Sequence, residues 1–474
     1  MSSSDARLGI PWPGKSLLGA LPAMQKDPVG MVARAAFEVG PVVHLRLPHI
    51  VAQVASVPHI AEVVLHAEAR RFTKQTRGYE QLRKVLGNGL LTSEGDFWLR
   101  QRRLAQPAFH RERLASFAAR MVKAAQDVAA SWEEKAKAHA PLDVVAEYSR
   151  LTLRIVSETL LTADVTAHAD EVGRALGVGL EAIGHRLTHP LQPEWLPTKK
   201  NRELKRAAKV LDEVVLGLIA RRRAGDGPDD DLLAMLLHAV DEETGARMDD
   251  QQLRDEVMTI FLAGHETTAM LLSWTSMLLS KSPDVERWVL EELTDVLAGR
   301  APTVADLPRL KRLTCVIKEA LRLYPPAWIL VRRVAEETVI DGWLFPKQSI
   351  VVLPPYTLHR LPDVWPNPEG FDPRRFEDAE PGPLSAPKGT PKGAYLPFSL
   401  GARKCIGDTF ALMEAQLVLA TVLPRVSLSL VPGAQVGREG LITLRPKGLF
   451  MHARPRATTG APARVAASPE RASA

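Results

Sequence analysis

The sequence predicts a mainly α protein with small β-sheets, built as one large domain. Three observations carry that expectation. Most of the span from Ala118 to Arg223 follows a helical pattern, and one long helix is expected from about Asp250 to Ser280. β-rich runs are brief, Val42 to Leu47 and Ile50 to Ala55 being the clearest. No internal repeat and no linker divides the chain into separate units.

The composition agrees. Of 474 residues 46% are apolar and 24% charged, a soluble globular balance with ample material for a large core. The formal charge is +6, part of it from an arginine-rich segment after His452, and no basic stripe is interleaved with aromatics. A nucleic-acid reader is therefore not expected. Two cysteines, Cys315 and Cys405, make neither a disulfide framework nor a zinc pattern, which fits a reducing, cytoplasmic compartment. Met1 to Asp5 is polar, Ile10-Pro11-Trp12-Pro13-Gly14 breaks any helix, and the apolar patch Ser16 to Met24 is too short to span a bilayer. The expectation is a chain with no membrane anchor and no signal peptide.

In chain order, a short helical pattern covers Val29 to Val39, and the two β-rich runs are joined at Pro48-His49 as a hairpin. A helix is expected from His59 to Glu68, a loop at Gly87-Asn88-Gly89, and then a helix carrying Trp98 and Arg102. These two stand i,i+4 on one face, a spacing that also suits a surface cation–π pair. Breaks fall at Pro190 to Pro197, Gly225 to Asp231 and Asp241 to Arg247. Glu319 and Arg322 sit i,i+3 on a helix ending at Pro325-Pro326, with a strand from Trp328 to Arg333 beyond. Further strands are expected near Val426 to Val431 and Leu441 to Leu444.

Two stretches carry chemistry. In Pro397-Phe398-Ser399-Leu400-Gly401-Ala402-Arg403-Lys404-Cys405-Ile406-Gly407 a cysteine sits in a glycine-flanked loop ahead of an apolar helix. Gly401 and Gly407 permit tight turns and close approach of a flat ligand. The helix N-terminus, Arg403 and Lys404 favour a thiolate at Cys405, and Phe398 is placed to shield it. On the long helix lies Ala263-Gly264-His265-Glu266-Thr267-Thr268. A mid-helix glycine costs ~1 kcal/mol relative to alanine, which a flat macrocycle lying against Gly264 would justify. Thr267 can bond the Ala263 carbonyl one turn back and distort the helix. His265 reads as structural or pocket-lining rather than catalytic.

The cysteine stretch resembles the haem-ligand loop of the cytochrome P-450 family, Phe-x-x-Gly-x-Arg-x-Cys-x-Gly, at every specified position. Beside it, Trp98 and Arg102 resemble the family's Trp-x-x-x-Arg pair, whose indole and guanidinium hold a haem propionate. The Ala263–Thr268 stretch resembles its oxygen-activation motif. Glu319 and Arg322 match its Glu-x-x-Arg ion pair, joined by Arg375, although members commonly carry Glu where Arg374 stands. By offset Arg332 matches a propionate ligand, and Lys74 adds a further cation. Ala327, Trp328, Ile329, Leu441 and Ile442 would face substrate, with residues from Tyr79 to Leu91.

The resemblance implies a single-domain P-450 fold with haem b between the long central helix and the loop of Cys405, the axial thiolate. Residues 1–9 would be a flexible N-terminus, 10–452 the haem domain and 453–474 a disordered Ala/Pro/Arg-rich tail. Thiolate ligation, for which this family is the standing example, favours O–O cleavage. The implied enzyme is a monomeric monooxygenase inserting one atom of O₂ into a C–H bond or alkene of an apolar small molecule, a terpenoid or fatty acid. Glu266 and Thr267 would deliver protons. Electrons would come from a separate ferredoxin and ferredoxin reductase, or a flavodoxin-type donor, docking on Lys404, Arg103, Arg111 and Arg113. A peroxide-dependent hydroxylase or a haem-thiolate sensor on the same fold are the alternatives, and neither would need the Glu266–Thr267 pair.

Overall fold

The computed structural model describes residues 6–456 apart from 15, 17, 48–49, 162–168, 190–195, 227–230, 381 and 383–384. The expected hairpin turn at Pro48-His49, most of the break before Pro197 and the tail beyond 456 lie outside the described residues.

The long helix spans Asp250–Ser280, as the periodicity predicts. Its start is fixed by a capping box: Asp249 accepts the Gln252 N–H at 2.7 Å while Gln252 accepts the Asp249 N–H. From residue 253 to 279 every position is buried except Ala263, Gly264 and Thr267. The main partner is helix Val144–Val156. Gly264 belongs to that contact, because a Cβ on it would come within 3.1 Å of Val156 Cγ2. Close packing against that helix is thus one reason for the glycine. The Tyr148 hydroxyl pairs with Ser276 Oγ at 2.8 Å along the same seam. Helix Asp408–Val422, which follows the cysteine, packs between the long helix and helix Ala118–Lys137.

A six-stranded sheet runs in the order Ile10–Pro11, Val42–Leu47, Ile50–Ala55, Ile350–Leu353, Leu330–Val334, Phe72–Thr73. Its central hairpin pairs Val42 with Ala55, at the bounds the sequence predicts. Two boundaries differ from expectation. Strand Phe450–Pro455 pairs Pro455 with Val426, so ordered chain continues past residue 452. Arg7, in the segment expected to be flexible, donates its N–H to the Gly342 carbonyl and accepts the Leu344 N–H. The expected strand at Leu441–Leu444 is instead a turn leading into strand Leu444–Lys447, and the strand expected from Trp328 begins at Leu330. The indole N–H of buried Trp328 donates to the Leu441 carbonyl at 3.1 Å, binding those two irregular segments together. Among the described residues no helix is long and apolar enough to cross a membrane.

Helix Lys311–Leu323 carries a fully buried ion pair. Arg322 grips both Glu319 oxygens, at 2.7 and 2.8 Å, and donates to the carbonyls of His359, Pro368 and Gly370. Arg375 adds a bond to Glu319 at 3.1 Å. Arg374 turns away to Trp288 and Asp284, so its departure from the family pattern leaves this network untouched. A buried pair is costly to break because the survivor keeps its charge without compensation. Glu319→Ala is accordingly expected to lower unfolding free energy by about 3–5 kcal/mol in urea titration. Replacing both partners by Glu319→Leu with Arg322→Met should cost less than the single change. A single variant as stable as wild type would rule out this role.

Candidate active site

The cysteine loop is shaped by its contacts with the chain beneath it. Gly401 has φ +69°, and a Cβ there would lie 2.3 Å from the Leu65 carbonyl oxygen. Glycine is needed for this turn, as the sequence suggests, and for the loop to rest on that backbone. Gly407 has an ordinary φ of −93° and ample room, and nothing around it requires glycine. The Cys405 N–H donates to the Phe398 carbonyl at 3.0 Å, closing the turn. The Cys405 side chain is accessible to solvent-sized ligands, whereas Cys315 is not. Burial raises its thiol pKa, outweighing the Gly407 N–H, Arg102 and Lys404 that pull it down. Desolvation thus opposes the thiolate expected from the sequence, and a cation at the sulfur would favour it. Cys315 is buried, and its thiol is pushed up to about 11 by desolvation.

Around this sulfur stand four cations. Lys74 is buried, donates Nζ to the Leu91 carbonyl at 3.0 Å, and is depressed well below the usual lysine range by burial and then by Arg332 and Arg403. Arg332 is also buried and, among the described residues, bonds only the Val331 carbonyl. Arg403 is lowered to about 10 by burial, against the pull of Glu94 at 3.1 Å. It also donates to the Ser93 carbonyl and lies 3.8 Å above the Trp98 ring. The cation on Trp98 is therefore Arg403; Arg102 instead donates to the Lys404 carbonyl at 2.8 Å and braces the loop. Near Lys74, Arg332 and Arg403 stands the Glu94 carboxylate, which pairs with Arg403, acts on Lys74 and also accepts the Lys74 N–H. That buried surplus of positive charge fits a ligand with two carboxylates. Among the described residues no three His, Cys, Asp or Glu gather to hold a bare metal ion. A single soft donor beside a dianion-binding cluster fits an iron carried by haem.

Between residues 253 and 279 the long helix is accessible only at a window formed by Ala263, Gly264 and Thr267. Thr267 donates its hydroxyl to the Ala263 carbonyl at 2.6 Å, as expected, but the helix runs through without interruption. Glu266 does not share this window. It is buried on another side, accepting from the Thr443 hydroxyl at 3.0 Å with Arg445 at 3.6 Å. His265 is held neutral by burial and bonds the Phe261 carbonyl through Nδ1, a structural role as anticipated. Of the expected pocket residues, Ala327, Ile329, Leu441 and Ile442 are partly accessible, whereas Trp328 is buried against Gly440 and does not line the space. Leu441 lies against Gly184 of helix Ala169–Thr188.

The expected basic docking patch is largely neutralised: Lys404 pairs with Asp408, and Arg103 with Asp241 and Glu243. Arg111 and Arg113 have no ion pair among the described residues. A groove of about 890 Å³ around Cys315, rimmed by Arg111 and Trp288, contains none of the site residues above.

One residue escaped the sequence reading. His359 receives the Leu396 N–H on Nε2 at 2.7 Å and meets the Arg322 carbonyl through Nδ1 at 3.1 Å. It thereby ties the buried ion pair to the chain entering the cysteine loop. No motif announces a lone histidine between Leu358 and Arg360.

A cytochrome P-450 family model matches residues 10–452. Cyclooctatin synthase of Streptomyces melanosporofaciens is 37% identical over 451 residues, covering 94% of this chain and 95% of that protein. Cyclooctat-9-en-7-ol 5-monooxygenase of the same organism is 36% identical, over 91% and 93% of the two chains. Pentalenene oxygenase of Streptomyces avermitilis is 35% identical, over 85% and 88%.

Burial drives the His359 pKa down to about 3, from an ordinary value near 6.5. The unfolded chain therefore takes up a proton first as pH falls. The stability that neutral His359 contributes is complete above about pH 6.5 and is lost between there and about pH 3. Wild type should lose about 2 kcal/mol more than His359→Asn between pH 6.5 and 5 in paired urea titrations. Parallel curves for the two proteins would refute the assignment.

Proposed function

The chain belongs to the cytochrome P-450 family, and from that we propose a haem-thiolate monooxygenase that oxidises a terpenoid using electrons from separate redox partners. The observation that carries this reading is an accessible thiol at Cys405 beside an undercompensated cation cluster, in a chain whose long helix is accessible between residues 253 and 279 only at Ala263, Gly264 and Thr267. Terpenoid is preferred to fatty acid because relatives matching nearly the whole chain are named for cyclooctatin, cyclooctat-9-en-7-ol and pentalenene. The electron donor is read as a ferredoxin or flavodoxin type.

When bound, thiolate-ligated haem supplies O₂ activation and transfer of one oxygen atom to substrate. Cys405 would hold the iron, Lys74, Arg332 and Arg403 the propionates, and Arg102 would keep the loop in place. Thr267 holds a proton at Oγ1 inside the window and can pass its hydrogen bond from the Ala263 carbonyl to a water or ligand there. Glu266 stands one residue away on the buried side, where Thr443 and Arg445 hold its carboxyl out of the substrate space. Ala263, Ile329 and Leu441 give that space an apolar lining that orients a hydrocarbon skeleton and excludes water.

Cys405→Ser should abolish the red-shifted Soret band of the ferrous–CO complex, while Cys315→Ala keeps it. Persistence of the band in the serine variant would mean that another residue ligates iron.

Thr267→Ala should bind haem and substrate normally but yield less product per NAD(P)H consumed, the remainder appearing as hydrogen peroxide. Unchanged coupling would demote Thr267 to a packing residue and favour a peroxide-dependent or sensor role.

A further inference from the structure

The accessible window of the long helix closes on its N-terminal side where two adjacent acids pull a turn of chain onto the helix. Glu256 is fully buried; its Oε2 accepts the Leu90 N–H at 3.0 Å, and its Oε1 has no hydrogen-bond partner among the described residues. Asp255 accepts the Asn88 N–H at 2.6 Å and is itself held by Arg254 and Gln251. The turn lies so close that only glycine fits at two of its positions. A Cβ on Gly87, at φ +74°, would meet Asp255 Oδ1 at 1.9 Å, and one on Gly89 would meet Thr259 Oγ1 at 2.4 Å. At its far end the Leu91 carbonyl takes the Lys74 ammonium, so the turn runs from the helix to the cation cluster.

Position on the helix gives this contact its meaning. With 3.6 residues per turn, Glu256, Ala263 and Thr267 fall within about 40° of one another around the axis. Glu256 lies about 10 Å along the axis from Ala263. Its partner turn therefore stands across the same face that carries the window, as an end wall.

We propose that Glu256 is a specificity-determining positioning residue: by holding the Leu90 N–H it fixes the 87–91 turn as the end wall of the substrate pocket and limits the length of the apolar molecule that fits beside Ala263 and Thr267. The inference rests on reading that window as the substrate site. It favours compact polycyclic skeletons over extended acyl chains. Burial, working against the Leu90 N–H and helped by Asp255, pushes the Glu256 carboxyl up to about 8, so a neutral amide is its faithful replacement.

The test uses haem-loaded full-length protein and N-alkylimidazoles of increasing chain length, which anchor at iron and extend into the pocket. Dissociation constants are read from the Soret shift. Wild type and Glu256→Gln should share one chain length beyond which affinity falls. Glu256→Leu should move that cut-off to longer chains, tightening the longest probe roughly tenfold, the worth of one buried hydrogen bond. Leu90→Pro, which deletes the donor and leaves Glu256 in place, should shift it the same way, and decides alone if the leucine variant does not retain haem. An unchanged cut-off in the variants that retain haem, or a glutamine variant behaving like leucine, overturns the proposal. Absence of any imidazole shift in haem-loaded wild type would instead refute the reading of the window as the face above the iron.

Discussion

Arg322 has no route to water, and that constraint organises the half of the molecule that presents the cysteine. A guanidinium at 0% exposure must satisfy its donors internally, and it does so with Glu319 and the carbonyls of His359, Pro368 and Gly370. These acceptors draw the chain between residues 359 and 370 around the end of helix Lys311–Leu323. His359 carries the constraint onward, because its ring bridges the Arg322 carbonyl and the Leu396 N–H two residues before Phe398. A buried ion pair is a poor source of net stability, but it admits few alternative arrangements. Its effect here is to fix where the cysteine loop begins.

The site that this scaffold presents is electrostatically incomplete in two complementary ways. Burial pushes the Cys405 thiol toward its neutral form, and burial with mutual repulsion pushes Lys74 toward its own. A cation at the sulfur would reverse the first effect, and a dianion among Lys74, Arg332 and Arg403 the second. One ligand carrying an iron centre and two carboxylates would relieve both at once. On the proposed reading the protein holds unfavourable groups in place, and binding of that ligand would offset their cost.

What could be read in the sequence was what local chemistry determines. The long helix matches its predicted ends because a capping box and continuous periodicity are local, and the hairpin strands match because alternation is local. The cysteine loop was legible because an unusual density of glycine, cation and sulfur sits in one short stretch. What the sequence could not show is partners distant in the chain. Val156 packs against Gly264, Leu65 against Gly401, and Leu441 bonds Trp328. Arg403 rather than Arg102 covers Trp98 because the fold, not the helix spacing, delivers the guanidinium. His359 and Glu256 carry no motif; their roles exist only through backbone N–H groups that tertiary structure brings to them.

The long helix divides its tasks around its circumference. Gly264 closes one side against a neighbouring helix, Ala263 and Thr267 open another, and Glu266 holds a carboxyl on a third, against Thr443 and Arg445. Oxygen chemistry on an apolar substrate makes opposing demands, since it requires protons but is spoiled by free access of water. Placing the acid and the hydroxyl on consecutive residues separates their side chains by about 100° while keeping them within one turn. On the proposed reading, Glu266 would exchange protons through its polar contacts with Thr443 and Arg445 without opening the substrate space. The adjacency of these two residues in sequence would then keep them apart around the helix, with proton supply on the polar side and substrate on the other.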